Sequence, residues 1–107
     1  FTAGGFMQSI YDELQTAMNA ELTPKVVDLL VDIADHLIDR GERERAVEIL
    51  TFALMYPMRS ITFEIAEMRF RELEASICPR VLLDARTLAQ ELTLEDLVKL
   101  ILAEFAE

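Results

Sequence analysis

Four aspartates, Asp28, Asp32, Asp35 and Asp39, recur at steps of four, three and four residues in the stretch VVDLLVDIADHLIDRG. The chain's only histidine, His36, stands among them. Carboxylates at this spacing have four uses: metal ligands, a catalytic pair, a docking strip for a basic partner, or the solvated side of a helix. Metal binding needs ligands that converge on one ion. Asp32 and His36 form one pair at i, i+4, and a second pair would have to come from another helix. A calcium loop, with several oxygen ligands and a Gly turn, is not written in the chain. Acid–base catalysis needs carboxyl groups in a cleft with pKa values driven apart, whereas acids along one exposed helical face share one environment.

Other reactive residue types are no more suggestive. Ser9, Ser60 and Ser76 lack a Gly-x-Ser-x-Gly setting, and no Gly-rich phosphate loop occurs. Cys78 precedes Pro79 with no histidine nearby and is expected to be a small buried thiol. Tyr11 and Tyr56 fall at core spacing. We therefore expect no enzyme activity, no metal and no cofactor.

Helices must position the acids. The chain has 107 residues, 52% of them hydrophobic, with three Gly, three Pro and no Trp. That composition favours an all-α fold in a single domain over residues 1–107, with short loops and no strands. Six helices are expected, over 6–21, 24–40, 42–56, 60–77, 80–91 and from 93 onward. Phe6, Met7, Ile10, Tyr11, Leu14, Ala17 and Met18 give the first an apolar face. In LTPKVV, Thr23 is expected to cap the second helix and Pro24 to take its first position, and Gly41 ends it. In LTLEDL, Thr93 and Asp96 form a capping box for the sixth.

The fourth helix carries two apolar stripes. Phe63, Ala66, Phe70, Leu73 and Ile77 lie on one side, and Ile61, Ile65, Met68 and Ala75 nearly opposite. Such a helix lies between neighbours or offers one stripe to another molecule. The apolar helices that follow favour an internal position. Met55 is the other apolar residue on a polar helical side.

Charge narrows the partners. A formal net charge of −10, with Arg and Lys interleaved among acids, disfavours nucleic acid and anionic membranes. No apolar run reaches the ~20 residues of a membrane span, and the start lacks the basic and apolar regions of a signal peptide. One cysteine fits a reducing cytoplasm. The chain does not begin with Met, and we expect it to be a segment of something longer.

The pair of helices over 27–57 resembles a tetratricopeptide repeat. Leu30, Ile33, Ala34 and Leu37 occupy the slots of its first helix, and Ala46, Leu50, Ala53 and Pro57 those of its second. Gly41 falls in the interhelical turn, and Ala34 and Ala46 fall where the two helices would approach closely. No aromatic residue fills the Trp or Tyr slots. After Pro57 a full-period shift would put Glu64, Met68 and Arg80 on core slots. The resemblance therefore covers residues 6–57, and 58–107 read as capping helices. RGERERAVEILTFAL and LTLEDLVKLILAE also resemble the C-terminal ends of large bacterial regulators, in which helical repeats follow a signal-transduction ATPase module. None of that module is present here.

The resemblance implies a groove lined by Asp28, Val31, Asp35, Ile38 and Asp39, acidic with two apolar pockets, for a basic or mixed peptide. Asp32 would then mainly solvate. The expected function is a non-catalytic protein–protein interaction module of a bacterial regulator. The competing expectation is a homodimer formed through Ile61, Ile65 and Met68.

Overall fold

Apolar residues at three- and four-residue steps fold into six α-helices: α1 (Ala3–Asn19), α2 (Thr23–Asp39), α3 (Arg43–Ala53), α4 (Ser60–Ser76), α5 (Pro79–Glu91) and α6 (Leu94–Phe105). These come from a computed structural model that describes the backbone of residues 3–105 and side chains from Ile10 to Glu104. The expected contributions of the Phe6 and Met7 side chains to α1 lie outside the described residues. No strand occurs among the described residues, and no helix there is long and apolar enough to cross a membrane.

The core is built on α2 and α3, which pack on each other more extensively than any other pair. Leu30, Ile33 and Leu37 of α2 meet Val47, Ile49 and Leu50 of α3 in one buried cluster. Ala34 and Ala46 are both fully buried in it. Leu14 of α1 extends this core on one side. Ala85 and Ala89 of α5 extend it on another, where their small size lets α5 lie close to α3. α4 touches both α2 and α3, and α6 returns to pack on α1.

Local chemistry explains the helix ends. Gly41 has φ +85°, the left-handed conformation that glycine adopts without strain. Its N–H donates to the Ile38 carbonyl and the Glu42 N–H to the Leu37 carbonyl, a Schellman pair that closes α2. α1 ends in the same way. Glu21 takes φ +58°, and the N–H groups of Glu21 and Leu22 donate to Met18 and Ala17. At the start of α6 the Thr93 N–H donates to Asp96 Oδ2 and the Asp96 N–H to Thr93 Oγ1, the expected capping box. The expected Thr23 cap does not form. Thr23 is already the first helical residue, Leu22 holds the cap position, and no side chain caps α2 there. Pro24, with no N–H to satisfy, reduces the need for one.

α4 departs from the expected internal position. Ala66 and Leu73 are buried and Phe70 and Ile77 half-buried, so the first stripe packs inward except at Phe63, which is 43% exposed. Ile61, Ile65 and Met68 are instead 61%, 40% and 52% exposed. The longer stripe wins the core, because the opposite one is interrupted by Glu64 and Glu72.

The two left-handed turns give predictions of opposite sign. A Cβ at Gly41 would meet nothing within 4 Å, so Gly41→Ala suffers only the backbone term and should lower stability by about 1 kcal/mol. Glu21→Gly relieves the same term and should raise stability by up to about 1 kcal/mol. Urea unfolding midpoints measure both. Destabilisation by Glu21→Gly would show that contacts of the Glu21 side chain, not its φ, govern that turn.

Candidate functional site

The apolar arc of α2 faces α1 and α3, which leaves its aspartates on the outer side, next to α4. Two of them are tied to α4. Asp28 accepts a hydrogen bond from Thr62 Oγ1 at 2.9 Å, and its other oxygen pairs with Arg59 at 3.1 Å. Asp35 accepts from Arg69 Nε at 2.6 Å. Arg69 also reaches Glu72 at 3.2 Å and, more loosely, Asp39 at 3.9 Å. Arg69 is thus the hub through which α4 is fastened to the acidic side of α2.

Asp32 is exposed and has no such tie. The helix surface around it desolvates its carboxyl group, and Asp28 and Asp35 add like charge. Both effects raise its pKa above the ordinary carboxylate value, and His36 and Lys25 offset them only in part.

The expected groove is therefore revised. Val31 is 2% exposed and belongs to the core, so it cannot form a pocket for a ligand. Ile38 is half-buried against the same core. Both positions lie between the core and the acids on the surface of α2. Asp28 and Asp35 fasten α4, and Asp39 and Asp32 stand furthest out.

Beyond this seam, on α4, lie Ile65, Ile61 and Met68. Turning about α4 from its buried face, one meets Thr62 and Arg69 against α2, then Ile65, then Ile61 and Met68. Turning about α2 from the core, one meets Val31 and Ile38, then Asp28 and Asp35, then Asp39 and Asp32. The two sets of expected contact residues thus adjoin on one outer face. An acidic ridge runs along α2, an apolar ridge along α4, and the Asp35–Arg69 and Asp28–Thr62 bonds form the floor between them. Thr62, Arg59 and Arg69 are the site residues that sequence reasoning missed. The two hydrogen bonds join residues 34 apart, so that offset from Asp28 and Asp35 was the available signal.

Other surfaces offer less. A shallow cleft of about 630 Å³ at the α2–α3 turn is lined by Gly41–Arg45, Glu48 and Glu104. Arg45 pairs there with both Glu48 and Glu104, tying α3 to α6. Cys78 is exposed, not buried as expected, because it stands in the extended link between α4 and α5. Tyr11 is buried, and the Tyr56 ring lies 5.3 Å from that of Phe52, so both are packing residues. Met55 is exposed in the turn that follows α3, not on the helix as expected. Among the described residues no three His, Cys, Asp or Glu side chains are placed to hold a metal ion.

The raised pKa of Asp32 has a signed consequence. An acid whose pKa is higher folded than unfolded opposes folding once it ionises, so its penalty is present at neutral pH and fades as pH falls. Asp32→Asn should raise Tm at pH 7, and the gain should vanish below the ordinary Asp value of about 4. Thermal melts of both proteins from pH 3 to pH 7 provide the check. An equal or lower Tm for the variant at pH 7 would show that Asp32 makes a favourable contact that offsets its surroundings.

Compared with protein-family models, curated proteins and solved structures, the chain matches none.

Proposed function

We propose that this chain is a non-catalytic protein–protein interaction module of a bacterial regulatory protein, working in the cytoplasm and built on a tetratricopeptide-like hairpin, α2–α3. It takes a basic or mixed segment of a partner on the outer face of α2 and α4. One observation carries the reading: the Asp28–Thr62 and Asp35–Arg69 bonds join α2 to α4 between exposed acids, Asp32 and Asp39, and exposed apolar side chains, Ile61, Ile65 and Met68. Acids attract and orient a basic segment, and desolvation of apolar side chains holds it. The hairpin reading is supported by the glycine turn at Gly41, the burial of Ala34 and Ala46 and the helix end before Pro57. The exposed, free Cys78 accords with a reducing compartment.

Binding of labelled lysine-rich and glutamate-rich peptides, followed by anisotropy at low and high salt, tests the reading. The lysine-rich peptide should bind more tightly. Its affinity should fall several-fold on adding salt, and again in an Asp32→Asn, Asp39→Asn double variant. Equal binding of both peptides, or no response to the double variant, overturns it.

The exposed stripe of α4 also favours a second reading, self-association through Ile61, Ile65 and Met68. Light scattering across dilution should then show a dimer that Ile65→Lys dissociates. A monomer at all concentrations retires this alternative.

A further inference from the structure

We propose that the occupant of the α2–α4 face is an amphipathic helix of a partner protein. Its apolar edge lies on Ile61, Ile65 and Met68, and its basic edge lies over Asp32 and Asp39. This rests on the interaction reading above and adds to it the shape of the partner, its orientation and a seat on α4.

The spacing argues for a helix. Ile61, Ile65 and Met68 recur at steps of four and three and so form a ridge along two turns of α4, about 10 Å. Helices pack by setting such ridges into one another's grooves. An extended peptide would gain little here, since its side chains alternate with period two and no strand among the described residues offers an edge to pair with. The seam also supplies a second wall. The acidic ridge of α2 runs beside the apolar ridge of α4, so one helix lying along the seam touches both.

Charge selects the partner's chemistry. Asp32 and Asp39 border the stripe on one side and Glu64 on the other, and Glu72 continues its line one turn on. The nearby cations are already engaged: Arg59 with Asp28, Arg69 with Asp35 and Glu72, and Arg71 with Glu67. Burial and the like charges of Asp28 and Asp35 disfavour the ionised Asp32, His36 and Lys25 offset them only in part, and a cation from outside would add to that offset. A second copy of the chain would bring the same acidic borders against these, at a net charge of −10 each. An anionic membrane surface is disfavoured by the same charge.

The probe is a synthetic amphipathic helix of about four turns built from leucine and lysine. Its controls are a scrambled peptide of identical composition with no apolar edge, and a leucine–glutamate counterpart. Anisotropy gives affinity, and circular dichroism confirms that each variant stays folded. The leucine–lysine helix should bind at one per chain, and the scrambled and acidic peptides should bind at least about tenfold more weakly. Ile65→Lys and Met68→Lys change exposed positions and should weaken binding by about tenfold or more. Leu83→Lys, at a 63% exposed position on α5, should leave it unchanged.

Equal binding of the scrambled peptide, or equal loss with Leu83→Lys, overturns the helical seat. Dependence on Asp32 and Asp39 without dependence on Ile65 and Met68 also overturns the seat, while the acidic-face reading survives. If neither set matters, both proposals fall. A free chain that is dimeric, and is dissociated by Ile65→Lys, assigns the face to a second copy and overturns the heterologous helix.

Discussion

Everything in this molecule is arranged around the close approach of α2 and α3. Gly41 lets the chain reverse within a few residues, and the two helices then bury a continuous set of side chains, Ala34 and Ala46 among them. Once the two helices are in contact, the broad apolar arc of α2 is used up on α3 and α1. Its aspartates are then turned outward by geometry alone. α5 can lie close to α3 only because Ala85 and Ala89 face it, and α4 is left to settle on the remaining edge of the pair. The acidic ridge is in this sense a by-product of the core. What makes it more than a solvated face is the helix beside it.

α4 is the element with a choice. Both of its apolar stripes could have packed inward, and the winner was the one uninterrupted by carboxylates. Burying Glu64 or Glu72 would have required partners inside the core. Thr62 and Arg69 then fix the rotation of the helix by bonding to Asp28 and Asp35. With both bonds made, α4 cannot turn to hide Ile61, Ile65 and Met68 without breaking its two hydrogen bonds to α2. The exposure of the stripe and the pairing of the acids are therefore one constraint seen from two helices.

Much of this was legible in the sequence. The six helices, the reversal at Gly41 and the capping box at Thr93 rest on local chemistry, which a sequence states directly. The burial of Ala34 and Ala46 followed from their places on the apolar arcs of α2 and α3. Thr23 failed as a cap because proline beside it offered the backbone another way to begin. Val31 is buried rather than open to a ligand for a different reason. Whether a position at the edge of an apolar arc is covered depends on where another helix docks, and periodicity is blind to that. The same blindness hid the role of Arg69, an arginine among acids in sequence that becomes a crossbar only when α4 lies against α2. Cys78 was expected inside because small thiols are commonly buried. Its place in an extended link between two helices left nothing to cover it.

That exposed thiol has a practical corollary. The chain holds a single cysteine, and it stands at the C-terminal end of α4, in the link to α5. A maleimide dye or spin label would attach there and nowhere else in this chain, with no background substitutions to engineer. Cys78 lies beyond Ile77, outside the stripe itself, so the tag would not obstruct the face it observes. The molecule thus arrives with its own reporter, and changes in the setting of α4 can be followed as a change in signal from one defined point.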